Sequence, residues 1–208
     1  MRLVLASSNA KKLKELSAML SGMRVELVAQ GELGVSEAEE PHHTFIENAL
    51  AKARHASAAA QSPAMADDSG LCVDALGGAP GVVSAHYAGG VQAGGDREAR
   101  RHRQDAANNT LLLQRLAGVT NRRAHFISTL VAVRHAQDPQ PLVAVGRWPG
   151  EILNAPRGDQ GFGYDPLMFI PELDRSVAEM DATLKNLHSH RSQAFAQLKV
   201  LLHEVWAL

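Results

Sequence analysis

Two adjacent carboxylates, Asp67 and Asp68, close a short apolar stretch and are followed by Ser69 and Gly70. Ala64 to Ala66 has the character of a brief strand, and Ser69-Gly70 is turn chemistry, so the acids are expected at a strand end, facing a mouth. Neighbouring carboxylates repel, and they persist most easily where a divalent cation or a positive group lies between them. Such a pair can ligate magnesium and take a proton from water. The same four residues also make an ordinary surface turn, and the other chemistry-bearing segments must choose between the two.

Four segments bear on that choice. Ser7-Ser8-Asn9-Ala10-Lys11-Lys12 lies where a strand gives way to a helix. Free backbone N–H groups, the positive helix start and a lysine would together cradle phosphate, although a plain N-cap with solvated lysines explains the same residues. Glu39-Glu40 would matter if the fold brought them to Asp67-Asp68, and otherwise they are solvated loop acids. Gly161-Phe162-Gly163-Tyr164-Asp165 sets an aromatic between glycines, which offers either a stacking face for a planar base or a hairpin turn with Phe162 in the core. Asp165 could accept from a ring N–H. Lys185 and Ser189-His190-Arg191 precede the last helix. Arginine and neutral histidine both donate to a carbonyl oxygen and would favour a 6-oxo purine over adenine, or they are simply a helix start.

These residues need a scaffold. Arg2 to Ala6 suggests a strand, and Leu13, Leu16, Met19 and Leu20 a helix ending near Gly22. Thr44-Phe45-Ile46-Glu47 has the form of a capping box, and starts a helix through about Ala60. Met65 to Asp74 is a short strand carrying the acidic turn, and Asp96 to Ala117 follows as a helix that is basic early (Arg97, Arg100, Arg101, Arg103) and apolar late. Ala124 to His135 and Leu142 to Trp148 form a strand hairpin, Leu167 to Ile170 a further strand, Met180 to Lys185 a short helix, and Ser192 to Ala207 a terminal helix. Interleaved helices and strands with a central hairpin specify an α/β fold with a mixed sheet.

Composition narrows the partners. At 208 residues and 45% hydrophobic, the chain can bury one good core. A net charge of −1 leaves no global field for nucleic acid or an anionic membrane. No run of about 18 apolar residues occurs, and Met1 to Ala6 is too short for a signal sequence, so a cytoplasmic protein is expected. The single Cys72, between Leu71 and Val73, is expected as a small core residue, and ten scattered histidines argue against zinc.

In order, the segments resemble the inosine/xanthosine triphosphate pyrophosphatase family. The likeness runs from Leu5-Ala6-Ser7-Ser8-Asn9 and Lys12, through Thr44 to Ala49 with Lys52-Ala53, to Ala66 to Leu71. It continues through Leu76 to Gly81, Trp148-Pro149-Gly150 and Gly161 to Pro166, and ends at Ser189-His190-Arg191. The resemblance implies one domain, 1–208: an elongated mixed β-sheet with flanking helices forming two lobes around a central cleft, usually a homodimer. It implies that Lys12 with Ser7 to Asn9 holds a triphosphate, and that Asp68 binds Mg2+ and activates water, with Glu40 or Glu39 completing the metal site. Ser69 would contact the substrate, and Phe162, Gly163, Tyr164 and Asp165 would line the base and ribose pocket. Lys185 would approach the nucleotide, and His190-Arg191 would read the base oxygen. The reaction would be attack of water at the α-phosphorus of ITP, dITP or XTP, releasing a monophosphate and pyrophosphate.

One departure is His86, where many family members carry arginine before the tyrosine at 87. The alternatives are a pyrimidine-directed pyrophosphatase of the same fold type, a catalytically silent nucleotide-binding module, and a nucleic-acid-binding protein using the arginines of 97–103. Scarce aromatics, 4%, disfavour the last.

Overall fold

Successive side chains of a strand point to opposite faces, and in this chain that parity assigns each functional residue its partner. The computed structural model describes residues 1–7, 10–90 and 96–208. The chain divides into two compact units, one of residues 1–69, 128–146 and 190–208, the other of 70–127 and 147–189. The described strands form a seven-stranded mixed sheet in the order β2-β1-β3-β4-β5-β6-β7.

In the first unit, β1 (Arg2–Leu5) lies parallel to β2 (Glu26–Ala29) and to β3 (Ala64–Val73). Flanked on both edges, β1 buries Leu3, Val4 and Leu5 completely, which is why it is a continuous apolar run. Leu3, Leu5 and Met65 face α1 (Ala10–Met19) and α5 (His190–Trp206), packing on Leu16, Phe195, Leu198 and Leu202. Val4, Ala6, Ala64 and Ala66 face the other way, onto α2 (Phe45–Ala60). Ala49, Ala53 and Ala56 of α2 are fully buried, and their small side chains let the helix lie close to the sheet.

Helix α2 begins as expected. Thr44 Oγ1 accepts from the Glu47 N–H at 3.3 Å and donates to the Glu47 carboxylate at 2.6 Å. Strands β4 (Arg123–Val133) and β5 (Leu142–Ile152) are neighbours in the sheet. In their connection, Asp138 accepts from the N–H groups of Arg134 and Gln140.

The second unit packs Leu71, Val73, Phe126, Trp148 and Ile152 of these strands against Leu112 and Leu116 of α3 (Arg97–Arg115). Strand β6 (Met168–Ile170) pairs antiparallel with β5 and with β7 (Arg175–Ser176), and α4 (Ala182–His188) follows. The α/β class and mixed sheet match the expectation.

Two local expectations do not hold. β2 was not anticipated, because Glu26 to Ala29 is four half-buried or exposed edge residues without alternation. Strand β3 keeps close to the expected Met65–Asp74 but makes no turn at the acids: its ten residues, Ala64–Val73, run straight through Asp67, Asp68, Ser69 and Gly70. Both acids are buried, at 2% and 6% exposure, rather than presented at a turn. The strand survives there because other elements supply cations to each carboxylate.

Candidate active site

Asp67 has the parity of Met65 and so points toward α1 and α5. There its Oδ2 meets Lys12 Nζ at 2.8 Å and Arg191 Nε at 3.2 Å. The Ser128 hydroxyl donates to Oδ1 at 2.8 Å, and Ser69 donates to Oδ2 at 3.4 Å. Burial by itself raises the pKa of this carboxyl. Lys12, Arg191 and the hydrogen bonds from Lys12 and Ser128 outweigh that and hold it well below the usual carboxylate range.

Arg191 reaches Asp67 because α5 starts hard against β5. A Cβ on Gly146 would overlap the His190 carbonyl oxygen and the Ala194 nitrogen, so only glycine admits the helix at that distance. His190 and Arg191 are both buried, and Arg191 Nη2 also donates to Ser69 Oγ at 3.3 Å.

Asp68 has the parity of Ala66 and points toward α2. Its Oδ1 lies 2.8 Å from Lys52 Nζ, which also reaches Glu40 Oε2 at 2.9 Å. Burial pushes the Asp68 carboxyl up, Lys52 pulls it back and the Glu40 charge raises it again, leaving it at about 6. Burial lowers the Lys52 pKa, but Asp68 and Glu40 more than compensate, so the ammonium stays charged. The second Asp68 oxygen, Oδ2, is buried with no hydrogen-bond partner.

A buried carboxylate oxygen without a partner, beside a second carboxylate, suits a hard divalent cation. Magnesium uses one or two carboxylates and completes its shell with water and phosphate oxygens. Among the described residues no group of three or more His, Cys, Asp or Glu side chains converges, so a cage built wholly from protein is not the arrangement found. A pocket of about 120 Å³ opens beside these groups, lined by Ser7, Lys12, Gln30, Glu40, Lys52 and Asp67 among others. Glu39 is exposed and is not among its lining residues. A larger hollow of about 480 Å³ lies by Met23, Arg24 and His203, away from the acids.

Of the expected base-binding residues, Phe162, Gly163, Tyr164, Asp165 and Lys185 lie in the second unit, and His190 and Arg191 in the first. Phe162 is half-buried, with Arg101 5.2 Å and Lys185 Nζ 4.8 Å from its ring centroid. Asp165 is buried, and its Oδ2 accepts from the Phe162 N–H at 3.0 Å and from Lys185 at 2.6 Å. Gly161, at φ +80°, leaves room for that carboxylate, which a side chain would strike. Gly163 lies in the turn after Phe162, while Tyr164 sits in the apolar core and donates from its hydroxyl to the Ser84 carbonyl at 2.9 Å. His86 is exposed. Cys72 is half-buried in β3 and burial raises its thiol, as suits a packing residue.

The chain matches the Ham1 family over residues 3–201. The chain belongs to the Ham1 family. It is 66% identical over 206 residues to a Methylibium petroleiphilum protein named dITP/XTP pyrophosphatase, covering 99% of each chain. A Leptothrix cholodnii protein of the same name is 65% identical over 211 residues, covering all of both. The structure of a HAM1 protein from Coxiella burnetii superposes with a TM-score of 0.90 at 40% identity, covering 99% of this chain and 100% of that one. The expected family resemblance therefore holds.

In this Ham1 chain the first unit gathers Lys12, Ser69 and Arg191 on Asp67, and Glu40 and Asp68 on Lys52. Ser7 lies on the same pocket wall as Lys12 and Glu40, while His190 opens α5. The second unit brings together Phe162, Gly163, Asp165 and Lys185. Ser8 and Asn9, expected in the phosphate cradle, lie outside the described residues, and Ala10 and Lys11 open α1. Lys52, Ser128, Arg101 and Asp105 were not anticipated as site residues. Lys52 carried a signal, since it lies four residues after the buried Asn48 and next to the buried Ala53 of α2. Ser128 carried a weaker one, as a hydroxyl inside an otherwise apolar strand.

Proposed function

We propose that the chain is a Mg2+-dependent dITP/XTP pyrophosphatase. It would hydrolyse non-standard purine triphosphates to the monophosphate and pyrophosphate and so remove them from the nucleotide pool. The observation that carries this is Asp68: a buried carboxylate tied to Lys52 through one oxygen, with the other oxygen buried and unpartnered beside Glu40. The names of the relatives supply the substrate class.

In this reading Asp68 and Glu40 hold the metal, with Glu39 left outside the set. Bound there, Mg2+ would neutralise negative charge on the phosphates, the main requirement of phosphoryl-type transfer. Asp68 takes a proton from the water that attacks the α-phosphorus, and the bond from that phosphorus to the bridging oxygen breaks as pyrophosphate leaves. Before the metal binds, a carboxyl near 6 is mostly ionised at pH 7, the form that both a metal ligand and a proton acceptor require. Lys52 fixes Oδ1, which leaves Oδ2 for the metal or the water. Lys12, oriented by Asp67 at the pocket wall, meets the phosphates together with Ser7, Ser8, Asn9, Ala10 and Lys11, and Ser69 contacts the substrate. Phe162 stacks on the base, Gly163, Tyr164, Asp165 and Lys185 shape that subsite, and His190 with Arg191 donates to the 6-oxo group.

The whole chain, 1–208, works as one hydrolase domain, a homodimer in the cytoplasm. Among the described residues no helix is long and apolar enough to cross a membrane. The test is pyrophosphate release from dITP, XTP, GTP, ATP and dTTP, with and without Mg2+. Turnover favouring dITP and XTP, absent in EDTA and lost in Asp68→Asn, is the expected result. Comparable dTTP turnover would assign the chain to pyrimidine substrates, and inactivity on every triphosphate would refute the reading. Light scattering of the purified protein checks the dimer.

A further inference from the structure

The arginine-rich helix α3 has no part in the chemistry above, yet one of its faces ends on the Phe162 loop. Arg101, Asp105 and Asn109 are spaced four residues apart and share a face of the helix. The Arg101 guanidinium lies over the Phe162 ring. Asp105 Oδ2 accepts from the Gly163 N–H at 2.9 Å, and Asn109 Nδ2 donates to the Gly163 carbonyl at 2.9 Å. One helix therefore holds the peptide units on both sides of Gly163, a residue at φ +62°.

Asp165 and Lys185 hold the other side of the loop, through the Phe162 N–H and the Phe162 ring. Phe162 is not among the residues of the second unit's apolar core, so charged and amide groups set its place. Asn109 also keeps its Oδ1 buried without a hydrogen-bond partner. An unmet buried acceptor is unfavourable, and the Asn109 amide bears it while its Nδ2 donates to the Gly163 carbonyl.

We propose that the Arg101–Asp105–Asn109 face of α3 is a positioning device for base recognition. It fixes Gly163 so that the Phe162 ring stands ready as a stacking platform for a purine before substrate arrives. This rests on assigning the Phe162 loop to the nucleobase. These groups act on the platform and not on the reacting phosphorus, so their loss should weaken substrate binding while the bound substrate still turns over.

The experiment compares wild type, Asp105→Ala, Asp105→Asn and Asn109→Ala. It measures KM and kcat for dITP with Mg2+, backbone amide exchange across residues 161–165, and the melting temperature. Asp105→Ala should raise KM about tenfold with kcat within about twofold, the effect of one charge-assisted hydrogen bond. It should also speed exchange at Gly163. Asp105→Asn, which can still accept from that N–H, should recover most of both. Should Asp105→Ala fail to fold, Asn109→Ala carries the test, with a KM rise in the same direction. An unchanged KM with unchanged exchange, or a fall in kcat at constant KM, would overturn the inference. A wild-type protein inactive on every purine triphosphate would overturn the functional reading, and this one with it.

Discussion

Asp67→Asn and Asp68→Asn are near-isosteric changes one residue apart, and the fold makes them opposites. Asp67 has no exposed side-chain surface and is the counter-charge of Lys12 and Arg191, the latter 5% exposed. Its neutralisation leaves two cations facing an amide, and breaking a buried pair in this way costs about 3–5 kcal/mol. For 208 residues the unfolding entropy is about 0.4 kcal/mol per kelvin, so the melting temperature should fall by roughly 10 °C. Because the folded-state carboxyl is depressed below its ordinary 3.8, the stabilisation is present throughout the neutral range. It disappears only as acid protonates Asp67 in the fold, so the deficit of Asp67→Asn should be constant from about pH 6 to 8 and shrink below about 4.

Asp68 runs the other way. Its carboxyl is raised from 3.8 to about 6, so ionisation costs the fold about 3 kcal/mol once the pH is above both values, at about 1.4 kcal/mol per pKa unit. That net cost already includes the pull of Lys52, so Asp68→Asn removes it, with Lys52 keeping Glu40 at 2.9 Å. The variant should melt no lower than wild type at pH 7 while losing most turnover. Relative to wild type it should fare better at pH 8 than at pH 4. Calorimetry of the metal-free proteins in EDTA across pH 4–8 checks all of this. Asp67→Asn melting within about 3 °C of wild type, or Asp68→Asn proving the more damaging, would refute the assignment of cations to faces.

The acid limb of kcat/KM should lie near pH 6 at low Mg2+, and Lys52→Met should move it to higher pH, since Lys52 is what draws the Asp68 carboxyl down. A limb that stays in place in that variant would remove Asp68 as the base. Gly146→Ala should lower the melting temperature by several degrees and reduce kcat/KM, because the new methyl meets backbone atoms of α5 that cannot rotate away. Thermal melts and steady-state rates decide it, and a stable, fully active variant would show that α5 has slack there. Phe162→Leu should raise KM for dITP about tenfold with little change in kcat, as expected for a lost stacking face; an unaltered KM would take Phe162 out of base binding.

Much of the scaffold was legible locally. Thr44 and Glu47 mark the start of α2 because a cap is a contact between residues three apart. The apolar run Leu3 to Leu5 marks a doubly flanked strand, and the spacing of Phe195, Leu198 and Leu202 marks the buried face of α5. β2 was not legible because a short edge strand is held by its neighbour's backbone, and its side chains carry little pattern. The acidic cluster was half legible: Asp67, Asp68, Lys12 and Glu40 stood out by type, and Lys52 and Ser128 did not. A lysine on a helix and a serine in a strand acquire meaning only from what they face.

The sequence by itself determined most of the elements and their order, the family and the residue types able to handle a metal and a triphosphate. Each of these rests on spacing within a few residues or on the succession of motifs along the chain. Only the tertiary structure decided that β3 carries Asp67 and Asp68 as buried residues of a continuous strand, with no turn between them. Local chemistry favours a turn at Asp-Asp-Ser-Gly, and two buried carboxylates are tolerable only when cations from α1, α2 and α5 meet them. Strand parity then sends one acid to Lys12 and Arg191 and the other to Lys52, which makes the first a structural anchor and leaves the second with an oxygen free for chemistry.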